Sequence, residues 1–435
     1  MPKIVILDEF APEDIAMMQA LYSRSAESVE IHVEKVRKTG SGKFMASYYV
    51  GYNHASIGDC GTTTIFTEGV SMFVAKAIQD WALYSGQETS SRYIDMAKQG
   101  MVDPVGTKAS KKIQDDWMDF YVKNQDRMRV HLKAKYPRKE GEEEKVYDKA
   151  INARIFDTFR SFLPGGAKTQ LSWHTNLRQA HDHLALMKYY PLDEVKEVTA
   201  QIRTALKEKY SSSFNHKEYP GQEEYRKWSM EDFTFYREKK YKGDFAASTN
   251  IKWKELKKKY GKAISKRPTK TNLPTFLAEY GNVTFDFLLD FGSFRDVQRH
   301  RNGICRMPLL TTKYGFNQWY LDELSPELRK EAIALIDKQK KAIEKLSASG
   351  VSDENLQYYV AMGFNVTCHV SYGLPATLYT MELRSGSLVH PTLRKVAHKM
   401  HHAITKMFPG ITLHSDLTES EWDVRRGKQD IVEKK

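Results

Sequence analysis

A chain of 435 residues, 41% hydrophobic and 28% charged, is long enough for two or three domains with sizeable cores and has the balance of a soluble globular protein. Its three cysteines, Cys60, Cys305 and Cys368, are widely spaced and form no C-x-x-C pair, which argues against a disulfide framework or a cysteine zinc site and leaves three buried thiols as the expectation. No apolar run reaches membrane-spanning length, and MPKIVILDEF has neither the basic region nor the cleavage site of a signal peptide, so the expected location is cytoplasmic, with no membrane partner and no metal.

In chain order, Ile4 to Leu7 read as a short strand, followed from Pro12 by a helix whose Ile15, Met18, Leu21 and Tyr22 share one face. KTGSGKF at 38–44 has a phosphate-loop look, but Arg37 stands at the first glycine position and Phe44 at the Ser/Thr position, so it reads as a turn. Thr62 to Phe66 read as a strand, and the pattern to about 205 is mostly helical. SSSFNHKEYPG then opens, and PTKTNLP closes, a basic connecting segment at 206–272. Within it, residues 237–270 hold 13 Lys/Arg against 3 Asp/Glu, interleaved with Tyr236, Tyr241, Trp253 and Tyr260; a solvated helix face is the plain reading and nucleic acid the second. Val283 to Leu288 and Val366 to Tyr372 read as strands. Ser325-Pro326-Glu327 caps one late helix, and Leu393, Val396, Met400, Ile404 and Met407 stripe another. The mixture predicts α+β.

Laying Gln79-Asp80-Trp81-Ala82 over Gln298-Arg299-His300-Arg301 pairs Phe66 with Phe285, Met72 with Phe291 and Lys76 with Arg295, a weak internal repeat. The predicted organisation is therefore an N-terminal copy, 1–205, the basic segment, 206–272, and a C-terminal copy, 273–435. Arg299-His300-Arg301, with Arg295 and Arg306 close in sequence, concentrates guanidinium charge that repels itself unless an anion compensates, and bidentate donors suit phosphate or planar carbonyls. His398, His401 and His402 have metal-compatible spacing but lie opposite the apolar stripe, and Glu88 and Asp59 are carboxylates able to serve as acid, base or cap.

QRHR after an aromatic strand resembles the R-H-R motif of the flavin-dependent thymidylate synthases. That family follows it after seven residues with a serine; here Leu309 stands there, and Thr311 replaces the second arginine. The first half shows the converse: Asp80, Trp81 and Ala82 replace R-H-R, whereas Gln87, Glu88, Ser90, Ser91 and Arg92 match the serine-containing end. His54 with Ser56 resembles the upstream flavin-contacting pair, RSFLPGGAKTQLSWHTNLR resembles the family's R-x-x-LP and N-x-R, and LYTMELRSG resembles its L-R-A-D-S junction, where the first half has Met187. The resemblance implies two diverged, complementary copies of the family fold, an antiparallel sheet with helices. It implies that His54, Ser56, Asn176, Arg178, Arg299, His300 and Arg301 hold FAD. Gln87, Glu88, Ser90, Ser91, Arg92, Arg160 and Gln298 would hold the nucleotide, and Arg384 would be catalytic, favouring the N3-deprotonated uracil. The implied reaction is reductive C5 methylation of dUMP, with methylenetetrahydrofolate and NADPH as co-substrates, in a homodimer that mimics the family tetramer. Two alternatives stand beside it: a related methylase or hydroxymethylase of another pyrimidine nucleotide, and a catalytically dead nucleotide- or nucleic-acid-binding protein.

Overall fold

The computed structural model describes residues 5–92, 94–234 and 243–419. The chain forms two units, each from two segments: Met1–Glu88 with Thr169–Phe233, and Thr89–Lys168 with Thr234–Lys435. Helices combine with small sheets, as an α+β fold requires.

In the first unit, β1 (Thr62–Ser71) pairs with β2 (Lys168–Asn176). Ser71 ends β1 and turns the chain into a helix, because its hydroxyl accepts from the N–H groups of Phe73 and Val74. All eight residues of that helix, Met72–Gln79, are buried, so the sequence that follows it, Asp80-Trp81-Ala82, has a fixed base. β2 buries Thr169, Leu171, Trp173 and Thr175 on one face with the strand period of two, then enters helices Leu177–Met187 and Asp193–Lys209. The helix expected at Pro12 spans Pro12–Tyr22. The strand expected before it is absent: Val5 to Leu7 have no regular structure, Leu7 packs on the Met17, Met18 and Val36 cluster, and Ile4 lies outside the described residues. Of the turn expected at 38–44 only Gly40, with φ +62, and Ser41 break the helices: Lys38 and Thr39 end helix Val29–Thr39, and Gly42–Phe44 are helical and run into a π-helix at Met45–Gly51.

In the second unit, β3 (Phe245–Thr249), β4 (Asn282–Asp290), β5 (Ile304–Arg306) and β6 (Asn365–Gly373) form an antiparallel sheet in the order β3-β4-β6-β5. Val283, Phe285, Phe287 and Leu289 point inward from β4. Asp290 then caps helix Phe291–Val297 by accepting from Ser293 N–H. Ser325 caps helix Pro326–Ala348 as its sequence predicts, and the stripe on Pro391–Met407 buries Leu393, Val396, Met400 and Ile404. The other three predicted strands fall within β1, β4 and β6. Of the three thiols expected to be buried only Cys368 is; Cys60 and Cys305 are part-exposed, Cys305 because β5 is an edge strand. Tyr236 and Tyr241 of the basic segment lie outside the described residues.

The two halves of the chain repeat one order of elements. A strand, a polar cap and a short helix occur at β1–Ser71–Met72 and again at β4–Asp290–Phe291. A 3-10 turn, a strand and two helices follow at Arg160–Phe162, β2, Leu177–Met187 and Asp193–Lys209, and again at Gln357–Tyr359, β6, Leu374–Ser385 and Pro391–Met407. Inside the second unit the two 3-10 turns exchange hydrogen bonds reciprocally. Gly165 N–H donates to Val360 O at 2.9 Å and Met362 N–H to Leu163 O at 2.8 Å; Gly166 N–H donates to Tyr358 O at 3.0 Å and Gly363 N–H to Ser161 O at 2.8 Å. Pro164 and Ala361 form the bridge between them. Contact of residue i with j matched by j with i is the signature of a two-fold interface.

Candidate active site

Apart from Arg178, the predicted site arginines lie in the second unit. Arg92 makes a bidentate pair with Asp157, Nε to Oδ1 at 2.5 Å and NH2 to Oδ2 at 3.0 Å, with both groups largely withdrawn from solvent. Arg160, placed by its 3-10 turn, is buried and donates from NH2 to Ser293 Oγ at 2.8 Å. Its Nε has no hydrogen-bond partner among the described residues, so a buried donor is left for a ligand or water. Arg295 reaches Ser91 Oγ at 3.4 Å, and Ser90 Oγ accepts from Arg92 N–H at 3.3 Å.

The R-H-R sequence sits just past the end of helix Phe291–Val297, whose last turn supplies Asp296 and whose cap is the buried Gln298. Arg384 comes from the last turn of helix Leu374–Ser385. Its Nε donates to His300 Nε2 at 2.7 Å and its NH2 to the Asp296 carbonyl at 2.7 Å, while NH1 stands 3.9 Å from Asp296 Oδ1. Arg299 Nε is 3.6 Å from the same carboxylate oxygen, and Arg301 NH1 lies 3.4 Å from the Arg299 carbonyl.

Burial, then the Arg384 charge, holds His300 down to a pKa of about 3, so its imidazole is neutral and accepts from Arg384. Burial alone would raise the Asp296 carboxyl, but Arg384, Arg92, Arg160 and Arg299 outweigh it and hold the group below the usual range. Burial also lowers the Arg384 guanidinium, against which Asp296 acts. Asp296 is thus the shared counter-ion of the cluster. Arg92, Arg160, Arg295, Arg299, Arg301 and Arg384 share this region with Asp157, Asp290 and Asp296. The formal excess of three positive charges is what a phosphate ligand would neutralise.

Beneath the arginines lies a buried polar relay. His390, fully buried and held neutral chiefly by burial, donates from Nε2 to the Asp157 carbonyl at 3.2 Å; its Nδ1 lies 3.2 Å from Ser293 Oγ and 2.8 Å from Thr392 Oγ1. Tyr320 OH donates to Asp290 at 2.7 Å. Beside the R-H-R sequence a pocket of about 250 Å³ is lined by Arg299, His300, Arg301, Tyr372 and Tyr379 together with Asn272, Leu273 and Thr275. Tyr379 meets the His300 ring edge-on at 5.8 Å. Planar rings, guanidinium donors and a neutral imidazole are the lining a flat, carbonyl-bearing heterocycle needs.

The other predicted residues belong to the first unit, where their side chains serve its own structure. Asn176 Oδ1 caps helix Leu177–Met187 through Gln179 N–H at 2.8 Å, and Arg178 pairs with Asp59 at 2.8 Å. His54 and Ser56 flank the start of the short helix Ala55–Gly58 and are exposed. The Gln87 carbonyl accepts from Ser172 N–H at 2.8 Å and its N–H donates to Ser172 Oγ at 3.2 Å, and Glu88 accepts from Gln79 at 2.7 Å. Sequence reasoning missed Asp157, Ser293, Asp296, Tyr320 and His390. The spacing D-x-x-R, at Asp157 to Arg160 and Asp296 to Arg299, was the available signal for both carboxylates.

Residues 6–210 match the family model for the thymidylate synthase complementing protein, a family of flavin-dependent thymidylate synthases. The similarity to that family is carried by this segment. The chain is 24% identical to a UPF0159 protein of Chlamydia muridarum, over 94% of this chain and 86% of the relative, and 22% identical to one of Chlamydia pneumoniae, over 86% and 81%. A UPF0159 protein of Thermoplasma acidophilum is 31% identical over 30% of this chain and 26% of its own length. No helix among the described residues is long and apolar enough to cross a membrane.

Proposed function

We propose that the chain is a flavin-dependent enzyme that methylates a pyrimidine nucleotide, dUMP in the first instance, at C5, with one composite site made from two diverged copies of the family fold. The observation that carries this reading is the meeting of Ser91 and Arg160, from the first half, with the second-half cluster: Arg295 NH1 lies 3.4 Å from Ser91 Oγ and Arg160 NH2 donates to Ser293 Oγ at 2.8 Å, while Arg384 and Arg299 flank Asp296. The repeated order of elements and the reciprocal bonds about Pro164 and Ala361 support the two-copy reading.

The pocket beside His300 fits the ring of FAD by its planar lining and guanidinium donors, and Arg299, His300 and Arg301 would hold the cofactor. FAD bound there would supply hydride chemistry, with methylenetetrahydrofolate as carbon donor and NADPH as reductant. Arg160, through its free Nε, and Arg92 would bind the nucleotide phosphate, with Ser90 and Ser91 beside them. Arg384 would place positive charge against the uracil ring and favour its N3-deprotonated form, while the neutral His300 and Asp296 fix the direction of that guanidinium. In this reading Gln298 also contacts the nucleotide, and two chains assemble in place of a family tetramer.

Flavin content per chain after reconstitution with excess FAD, followed by product analysis with dUMP, UMP, dCMP and CMP, tests the reading. One flavin per chain and methylated dUMP are expected. Two flavins would overturn the composite site; none would overturn the enzyme. Turnover of another nucleotide in place of dUMP would move the assignment to a neighbouring pyrimidine, a shift that the Leu309 and Thr311 departures would then account for.

A further inference from the structure

Helix Trp253–Ser265 is anchored by one face. Leu256 and Ile264 are buried, Trp253 packs on Phe408 with ring centroids 5.3 Å apart, and Lys257 donates to the Pro409 carbonyl at 2.9 Å. Just past its end the buried Arg267 pairs with Glu382. The outward face carries Lys254, Lys258 and Lys262 at four-residue intervals, continued by Lys266 beyond the helix and Lys270 in the turn, all exposed. Residues 252–270 hold nine basic side chains and one acid, Glu255. Like charges four apart on a helix repel and cost stability, a cost the chain accepts at three successive positions, while Glu255, the one acid, lies 3.8 Å from Lys252.

Aromatic rings adjoin this stripe. Tyr260 lies 5.5 Å from Phe276 at 60° and 5.8 Å from Tyr280 at 74°, so the rings meet at steep angles and are not stacked face to face. Lys259 sits over Tyr260 at 5.1 Å, and Phe276 is 50% exposed. A row of phosphates would neutralise the lysines, and an unstacked base would cover Phe276. We propose that the face formed by Lys254, Lys258, Lys262, Lys266 and Phe276 binds single-stranded nucleic acid, an activity separate from the nucleotide site. An anionic membrane would need an apolar helix face to insert, and Leu256 and Ile264 of this helix are turned into the protein.

Fluorescence anisotropy of the full chain with a labelled thymidine 20-mer, between 50 and 300 mM salt, tests the proposal. The wild type should bind at low salt. The triple variant Lys254→Ala, Lys258→Ala, Lys262→Ala should lose about tenfold or more, with its log–log salt slope shallower by about 2, near 0.7 for each phosphate contact removed. Phe276→Ala should lose about fivefold or more without a change of slope. Wild-type protein that ignores the 20-mer at 50 mM salt, or a triple variant that binds it unchanged, overturns the proposal. So does binding to phosphatidylserine vesicles in the absence of binding to the 20-mer, which would reassign the face to a membrane surface.

Discussion

The sequence after helix Met72–Gln79 and the sequence after helix Phe291–Val297 occupy equivalent places in the two halves, yet one is closed and the other open. In the first, Trp81 stacks on His183 at 4.7 Å and 23° and donates to Gln179 at 2.9 Å, while Lys76 and Asp80 form a buried pair at 2.5 Å. His183 Nε2 in turn lies 3.2 Å and 3.1 Å from the carbonyls of Ala77 and Ile78. In the second, His300 takes the place of Trp81, Arg299 and Arg301 flank it, and a pocket opens beside them. The difference teaches that one local order of strand, cap and helix can be closed by packed aromatic and paired side chains or left open beside a charged cluster.

The contrast can be broken most forcefully at Asp296, whose counterpart is Ala77. Asp296→Ala removes the shared counter-ion and should destabilise the protein by about 3–5 kcal/mol in urea denaturation, recovered in part by added phosphate. Arg384→Ala, which puts a small apolar side chain where the first half has Met187, should lower the methylation rate about 10²- to 10³-fold while leaving unfolding cooperative; an unchanged rate would remove Arg384 from the catalytic role. Trp81→Ala should cost about 2 kcal/mol of stability, near the low end for a large ring because the residue is part-exposed, and should leave flavin content unaltered.

Acid sharpens the comparison from both sides. The native state keeps His300 neutral down to about pH 3, and burial holds His183 neutral to about pH 4, whereas an unfolded histidine gains its proton near 6.5. The unfolded state therefore binds more protons below 6.5, and each histidine should withdraw up to about 1.4 kcal/mol per pH unit until its folded pKa is reached. Stability measured from pH 7 to 4 should fall less steeply in His300→Asn and in His183→Asn than in the parent. The smallest effect is expected from the double replacement Lys76→Met, Asp80→Leu, within about 1 kcal/mol of the parent, because a buried pair offsets little more than its own desolvation.

Strands β1, β4 and β6 were legible from β-branched and aromatic runs, and the helix at Pro326 from its serine cap and N1 proline, because those signals are local. The strand expected before Pro12 was not formed, since a short apolar run says nothing about whether a neighbouring strand exists to pair with it. Arg299, His300 and Arg384 could be read from motif spacing. Asp157, Ser293 and His390 could not, because a buried carboxylate, hydroxyl or imidazole acquires its part only from partners far along the chain: Arg92 lies 65 residues before Asp157 and His390 lies 97 after Ser293.

The reciprocal turns at Pro164 and Ala361 also bear on how the chain is made. Residues 89–168 leave the ribosome early, yet the surface they close against arrives only with the last third of synthesis; Trp117, for one, donates to the Tyr359 carbonyl 242 residues later. The first unit is complete in sequence at Phe233, so it can settle while the segment threaded between its own two parts still waits with apolar side chains uncovered. Translation speed between residues 233 and 361 thereby becomes a determinant of yield, and shielding during that interval falls to chaperones.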